Sequence, residues 1–255
     1  MRHMTLSIGM LVLMMASRYG IGMPVPQQDK ANINAMTVAQ LEKAGDAARA
    51  QKDYPLAIQY FETAVRKDRK NSSLYNKLGL AELKNNDLAG ARADFERAAK
   101  RDSKNADAIN NVGAVDYINK RFGSATKYFK KAVALEETRA SFHVNLGAAW
   151  FSQKKPDRAV MEYARALELD PDALRRDSKA GVAAQISSPE ERAQFSYMMA
   201  KIYAKRGDTE GCLQCLRKAK EDGYRNLANV YKDEEFSTMR DNPKLHEVVA
   251  PPAPK

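Results

Sequence analysis

The sequence predicts an all-α fold in which helical hairpins stack into an α-solenoid, and a 34-residue repeat is the main evidence for it. Glycine recurs at this spacing at four places, Gly45, Gly79, Gly113 and Gly147. Each glycine is followed twelve residues later by alanine, sixteen residues later by Phe or Tyr, and nineteen residues later by alanine again. A single hairpin cannot bury its apolar face alone, so repeated hairpins stack and share a continuous core.

Each repeat is expected to form two antiparallel helices joined by a short turn. Glycine and alanine are placed where the two helices cross, because only a small side chain lets the backbones approach, and the aromatic residue fills the wedge between hairpins. Pro55 and Pro156 suit the first turn of a second helix. The predicted turns are Lys52–Tyr54, Asn86–Leu88, Lys120–Phe122 and Lys154–Pro156.

This pattern resembles the tetratricopeptide repeat, in which W-x2-L-G-x2-Y is followed by A-x3-F, alanine and proline. The resemblance covers residues 37–171 without a gap, as four contiguous repeats. The fourth copy is the closest to the pattern, with Leu146–Gly147, Trp150 and Asp170–Pro171. The resemblance implies a right-handed superhelix of about five hairpins. It also implies a chain that binds a protein or peptide partner and does not catalyse a reaction.

The register of the repeat breaks after Pro171, and a fifth hairpin is predicted at residues 190–223. Ala200 takes the glycine place of this copy, and Gly207–Asp208 forms its turn. The intervening residues 172–189 read as an insertion that contains a short helix. The fifth copy is therefore part of the same solenoid, displaced along the chain.

The two ends of the chain have other compositions. Residues 1–22 read as a cleaved export signal, because the apolar stretch at residues 4–16 has the length of a secretory signal core and is short for a membrane span. Residues 23–36 form a polar lead-in, residues 224–249 read as C-terminal capping helices, and residues 250–255 as a disordered tail. The expected location is periplasmic or secreted. An uncleaved membrane anchor at residues 4–16, or a chance apolar start, is the alternative.

The basic charge of the chain, formally +10, does not by itself predict a nucleic-acid partner. The tightest basic clusters, Arg66–Lys70 and Lys100–Lys104, fall at predicted hairpin ends, where cations suit helix C-termini. We interpret them as solvated helix ends and expect no nucleic-acid partner. A basic patch that binds nucleic acid is the alternative interpretation.

Catalytic and metal-binding motifs are absent from the sequence. The chain has three histidines, His3, His143 and His246, and it lacks an H-E-x-x-H motif, a phosphate-binding glycine loop, a G-x-S-x-G elbow and a zinc-type Cys/His cluster. His143 takes the place of a large packing residue, which favours a core role over a general base. The sequence therefore predicts no enzyme activity, no cofactor and no metal site.

Cys212 and Cys215 form the one motif that could carry redox chemistry. A C-x-x-C pair near the start of a helix can have a lowered thiol pKa, and in an exported chain the pair could also oxidise to a local disulfide. Against this, Cys212 holds a buried small-residue place of the repeat, and the strand–helix context of a thioredoxin-type site is missing. We favour two core thiols, with the disulfide and the redox site as alternatives.

The partner is expected on the concave face, which the first helices of successive hairpins line in this family. Counting from the glycine place gives a charged start in the first copy and apolar or aromatic side chains in copies two to four. Such a patch usually marks an interaction surface, and packing of the extra helix or the lead-in there is the alternative. The predicted peptide-binding groove consists of Asn76, Leu80, Leu83, Asn110, Asn111, Tyr117, Ile118, Val144, Asn145 and Phe151.

Two asparagines of this groove are candidates for hydrogen bonds to a peptide backbone, because related repeats use asparagine two places before the glycine. They are Asn111 and Asn145, and Lys77 breaks the series in the preceding copy. Other related repeats bind the C-terminal carboxylate of heat-shock chaperones with a Lys-Asn, Asn, Lys-Arg clamp. Glu42 and Asp46 stand at matching places here, so that partner class is rejected.

These observations predict a non-enzymatic protein-interaction scaffold. Two alternatives remain from the sequence, a thiol-redox accessory and a membrane-tethered assembly factor. The identity of the protein or peptide partner is left open.

Overall fold

The computed structural model describes residues 33–174 and 188–252, and over these two ranges the chain is helical with no β-strand. The predicted all-α fold is confirmed. The predicted export signal and most of the lead-in lie outside the described residues, as does most of the predicted insertion. The chain divides after Ala108 into two units, residues 1–108 (unit 1) and residues 109–255 (unit 2).

Unit 1 contains two helical hairpins. In the first, α1 (Val38–Ala50) packs against α2 (Tyr54–Lys67), and in the second α3 (Ser72–Lys84) packs against α4 (Leu88–Arg101). Helix α5 (Ala106–Ile118) begins in unit 1 and ends in unit 2.

The helices of unit 1 begin at polar side chains that cap them. In each case a side-chain oxygen accepts a hydrogen bond from the backbone N–H three residues further on, which satisfies a donor that the first turn leaves unpaired. The capping residues of α1 to α4 are Thr37, Asp53, Asn71 and Asp87.

Unit 2 continues the alternation of first and second helices and ends in shorter elements. The helices of unit 2 are α6 (Phe122–Leu135), α7 (Ala140–Ser152), α8 (Pro156–Leu169), α9 (Pro189–Lys205), α10 (Thr209–Glu221), two 3-10 helices (Leu227–Tyr231 and Glu234–Met239) and α11 (Pro243–Val248). Helix α9 begins where Ser188 accepts a hydrogen bond from the Glu191 N–H at 3.1 Å.

The turn inside each hairpin contains one residue in the left-handed region. Gly207 has φ +76° in the fifth hairpin, and the turns of the first four copies have φ between +58° and +65° at Lys52, Asn86, Lys120 and Lys154. These four residues are 34 positions apart, as the repeat requires. Lysine and asparagine adopt this conformation at some cost, which glycine avoids.

The repeated glycine lies directly under the repeated aromatic ring of the same hairpin. A Cβ built on Gly45, Gly79 or Gly113 would lie 2.6–2.7 Å from a ring carbon sixteen residues on, and one on Gly147 would lie 3.0 Å from the Tyr163 ring. Phe61 also shares a core with Leu78 of the next hairpin, so the aromatic fills the wedge between hairpins as predicted. The glycine ladder therefore occupies equivalent helix contacts in all four copies.

The C-terminal elements of unit 2 close the fifth hairpin. Val230, Phe236 and Leu245 are fully buried against a core that includes Leu213 and Leu216 of α10. This packing covers the apolar side of the last hairpin, which a solenoid would otherwise expose.

Across residues 33–174 and 188–252, none of the helices combines the length and the apolar character that crossing a membrane would require. The apolar stretch at residues 4–16 is not among those residues.

Candidate partner-binding face

The first helices of unit 1, α1 and α3, carry polar and apolar side chains on one shared surface. On α3, Leu80 lies one turn after Asn76 and Lys77, and Leu83 lies one turn after Leu80. Lys77 reaches across to α1, which joins the two helices at this surface. We call this surface the unit 1 face, and it consists of Glu42, Asp46, Arg49, Asn76, Lys77, Leu80 and Leu83.

An ion network fixes the polar part of the unit 1 face. The Lys77 Nζ lies 2.7 Å from Glu42 Oε1 and 2.5 Å from Asp46 Oδ2. Arg49 Nη2 donates to Asp46 Oδ1 at 3.1 Å. Burial alone would lower the pKa of Lys77, but the hydrogen bonds and charges of the two carboxylates outweigh it and the pKa is raised. The lysine is therefore a stable cation that holds α1 and α3 together.

The apolar part of the unit 1 face is half-buried. Leu80 and Leu83, like Asn76 beside them, keep part of their surface accessible in the described structure. They lie next to side chains whose positions the ion network fixes. The face therefore combines accessible apolar surface with a preorganised polar surround.

The predicted groove residues of unit 2 are mostly buried, which differs from the exposed wall that the sequence predicted. The exposed fraction is 8% or less for Asn110, Tyr117, Val144, Asn145 and Phe151. Their surface is used for packing inside unit 2. The insertion and the lead-in, which the alternative interpretation placed on this patch, lie mostly outside the described residues. Asn111 and Ile118 are half-buried.

Two aromatic contacts give the physical reason for this burial. The Tyr117 ring packs 5.2 Å from the Phe122 ring, and its hydroxyl lies 3.0 Å from the Ser152 Oγ. The Phe151 ring meets the Phe195 ring of α9 edge-on at 5.3 Å. Because a following helix covers Phe151, its place in the repeat does not make it a surface residue.

The asparagines of unit 2 bond to each other. Asn145 Nδ2 donates to Asn110 Oδ1 at 2.8 Å, and Asn110 Nδ2 lies 3.5 Å from Asn111 Oδ1. Buried amides need such partners, because an unpaired buried polar group is costly. The Asn110–Asn145 pair therefore has a structural role in linking α5 to α7.

The first helix of the fifth hairpin is covered by the chain's own C-terminal segment. The Tyr197 hydroxyl donates to Asp233 Oδ2 at 2.9 Å, and the ring stacks on Tyr224 with centroids 4.3 Å apart. Lys201 Nζ lies 3.1 Å from the same Asp233 carboxylate and 3.3 Å from Glu235. Tyr197 and Lys201 of this helix thus bind other residues of unit 2.

The comparison with known protein families agrees with this architecture. The tetratricopeptide-repeat pattern matches residues 42–107 and 118–173, so each of the four contiguous copies is matched at least in part. The chain is a tetratricopeptide-repeat protein. Proteins of this family generally mediate protein–protein interactions, and their fold is typically a non-catalytic interaction scaffold.

Solved tetratricopeptide-repeat structures share the fold at low sequence identity. A MamA crystal structure matches with 18% identity and a TM-score of 0.53, over 77% of this chain and 95% of that chain. MamA 41-end from Desulfovibrio magneticus RS-1 matches with 15% identity and a TM-score of 0.53, over 74% and 96%. PilF of Pseudomonas aeruginosa matches with 19% identity and a TM-score of 0.54, over 79% and 87%. No curated protein matches the chain.

The histidine in the first helix of the fourth copy is held inside the protein. His143 is buried, with Nδ1 2.7 Å from Glu162 Oε2 and Nε2 3.0 Å from the Glu137 carbonyl oxygen. Both ring nitrogens are thus occupied by protein groups, in keeping with the core role predicted for it. No group of three or more His, Cys, Asp or Glu side chains suited to a metal ion is present among the described residues.

The two thiols have the environment of core residues. Both are free, with Cys212 buried and Cys215 partly buried. Burial, with smaller electrostatic contributions, raises the pKa of Cys212 to about 12 and that of Cys215 to about 11. A redox thiol needs a lowered pKa to form thiolate, so the shift opposes that alternative.

Sequence reasoning missed three buried carboxylates in the tetratricopeptide repeats, Glu82, Asp94 and Asp116. Glu82 and Asp116 each follow the glycine of their copy by three residues, and both are buried. Asp116 accepts hydrogen bonds from Arg121 Nη2 at 2.6 Å and from Ser124 Oγ at 2.5 Å. An acidic residue at one place in two successive copies was the signal available.

Proposed function

We propose that the chain is a non-enzymatic scaffold that binds a protein or peptide segment on the unit 1 face. The binding role of tetratricopeptide-repeat proteins in general supports this proposal. One observation carries the choice of surface. Leu83 is half-buried, whereas Tyr117 and Phe151, at the same place in the next two copies, are buried.

The proposed mechanism is recognition by a preformed surface. Lys77 is held by two carboxylates, so little side-chain freedom is lost when a partner arrives. Leu80 and Leu83 supply apolar area that a partner side chain covers. In unit 2, Asn111 and Ile118 are the half-buried members of the predicted set.

A peptide-selection experiment tests the proposed surface. Peptides that bind the chain are selected from a random displayed library, and the affinity of a selected peptide is then measured by calorimetry. The comparison uses the wild type, the Leu80→Ser/Leu83→Ser variant, and Met161→Ser as a matched control. Met161 is 72% exposed on the second helix α8, outside the proposed surface.

The expected result is a selective loss in the leucine variant. Removing about 1 kcal/mol of apolar burial per leucine weakens binding roughly ten- to thirtyfold in total. Met161→Ser should bind as the wild type does. If the leucine variant keeps its helical circular dichroism and the wild-type affinity, the unit 1 face is not the binding surface.

We also propose that the chain is exported, with residues 1–22 removed. The apolar stretch at residues 4–16 after a charged start supports this proposal. Expression in a bacterial host and N-terminal sequencing of the mature protein test it. A mature chain that begins near residue 23 supports cleavage. A membrane-associated chain that keeps residues 4–16 supports the tethered alternative.

A further inference from the structure

Two carboxyl groups lie buried together between α3 and α4 of the second hairpin. Glu82 is 8% exposed and Asp94 is 3% exposed. The negative charge of Asp94 acts on the Glu82 carboxyl. Glu82 also reaches the first turn of α4, since a Cβ built on Gly90 would lie 2.9 Å from Glu82 Oε1. Two carboxylates held this close cannot both ionise without strong repulsion.

The charges around this pair favour a negative Asp94 and a neutral Glu82. Arg97 Nη1 donates to Asp94 Oδ1 at 2.5 Å, which stabilises the Asp94 carboxylate. Glu82 Oε2 is buried without a hydrogen-bond partner in the described structure. Asp87 at the start of α4 and Glu62 on α2 add further negative charge near Glu82, while Arg97 supplies positive charge.

We propose that Glu82 keeps its proton near neutral pH and donates it to Asp94, and that loss of this proton loosens the second hairpin. Burial first, and then the charge of Asp94, raise the pKa of Glu82 from the ordinary 4.5 to about 8. The inference concerns the stability of the hairpin and stands independently of the proposed binding surface.

The direction of the pH dependence follows from proton linkage. In the unfolded chain Glu82 loses its proton near pH 4.5, and in the folded chain near pH 8. Between these values folding must take up one proton, so each pH unit raises the unfolding equilibrium constant by up to about tenfold. Above about pH 8, Glu82 has lost its proton in both states, and below pH 4.5 it is protonated in both. In these two ranges Glu82 no longer makes the stability depend on pH.

Urea unfolding as a function of pH tests the proposal in the full chain. Glu82→Gln keeps the shape of the side chain and an N–H donor toward Asp94, but it cannot ionise. Glu96→Gln is the matched control, because Glu96 is a more exposed α4 carboxylate that pairs with Arg92 at 2.6 Å. The ratio of wild-type to variant unfolding constants is compared at about pH 5 and about pH 8.

The wild-type unfolding constant divided by that of Glu82→Gln should rise at least tenfold from about pH 5 to about pH 8. The same ratio for Glu96→Gln should change by no more than about twofold. A Glu82→Gln ratio that does not change with pH overturns the proposal. Carbon NMR of the Glu82 carboxyl in the wild type gives a second test, which does not depend on the variant folding. A midpoint above about pH 7 is expected, and a midpoint near the ordinary 4.5 overturns the proposal.

Discussion

Gly113→Ala tests the packing on which the repeat depends. A Cβ at Gly113 would lie 2.7 Å from Phe129 Cε1, 2.8 Å from Phe129 Cδ1 and 3.2 Å from Tyr128 Cβ. Carbon atoms at rest stay about 3.5–4.0 Å apart, so the added methyl group overlaps the ring by several tenths of an ångström. Phe129 is fully buried and cannot swing into solvent. The helices α5 and α6 must therefore separate, or the ring must leave its rotamer.

Two opposing terms set the size of the effect. Overpacking of a buried site costs about 1–3 kcal/mol, and alanine recovers about 1 kcal/mol of helix propensity over glycine. Gly113→Ala should therefore lower the free energy of unfolding by up to about 2 kcal/mol. At Gly147 the nearest atoms of the Tyr163 ring lie at 3.0–3.1 Å, so a small ring shift suffices. The two terms then nearly cancel.

Gly123 provides the control for these two glycine substitutions. Gly123 lies in α6, and a Cβ there would meet nothing within 4 Å. Gly123→Ala should leave stability unchanged or raise it by up to about 1 kcal/mol, because only the propensity term applies. Urea unfolding followed by circular dichroism should rank the variants Gly123→Ala, Gly147→Ala and Gly113→Ala, from most to least stable. If Gly113→Ala is as stable as Gly123→Ala, the steric explanation of the glycine ladder is wrong.

Two further predictions concern the turns and the thiols. Gly207→Ala should lower the free energy of unfolding by about 1–2 kcal/mol in a urea titration, because φ +76° disfavours a residue with a Cβ. Lys120→Gly, at φ +58°, should not lower it. If both variants lose the same free energy of unfolding, the backbone explanation is wrong. Cys212 and Cys215 should react with iodoacetamide at pH 8 only after denaturation, as mass spectrometry can follow, since their raised pKa values keep both thiols protonated in the native chain. Rapid native labelling would restore the redox alternative.

The sequence was sufficient for the parts of the fold that the repeat itself determines. The glycine-to-aromatic contact is local to one hairpin and recurs at fixed spacing, so a single pattern predicts it in four copies. The positions of the turns follow for the same reason. The left-handed backbone conformation in these turns could not be predicted, because lysine, which occupies positions 52, 120 and 154, does not favour it. Periodicity predicts the place of a residue better than it predicts the conformation of its backbone.

The predicted groove residues of unit 2 are mostly buried, for a reason that the period of the repeat does not contain. The place of Phe151 in its copy predicts the direction of its side chain, but not what lies against it. Phe195 of α9, after a break in the register, packs on that ring. In the same way Asp233, far along the chain from the fifth hairpin's first helix, bonds Tyr197. The burial of these side chains depends on segments outside the four contiguous copies, so a count from the glycine place cannot predict it.

Ion pairs between neighbouring hairpins were not predicted, because the sequence does not show which charged side chains meet. Lys77 reads in the sequence as a break in a series of asparagines. In the structure it joins α1 to α3 through Glu42 and Asp46, which the sequence assigned to a charged start of the groove. Long-range partners of this kind depend on the register of adjacent helices. They become visible only when the side chains are placed.

Helices α3 and α7 differ in how much of their surface is accessible, and this difference indicates where substitutions can change binding without loss of stability. Every residue of α7 from Phe142 to Phe151 is buried, and a helix that is apolar on all sides belongs inside a protein. Substitutions there change packing and therefore stability. On α3, Leu80 and Leu83 keep part of their surface accessible, next to a lysine fixed by two carboxylates. Changes at these two leucines can alter binding while the core under Gly79 is retained, which is why the unit 1 face is the better candidate for a recognition surface.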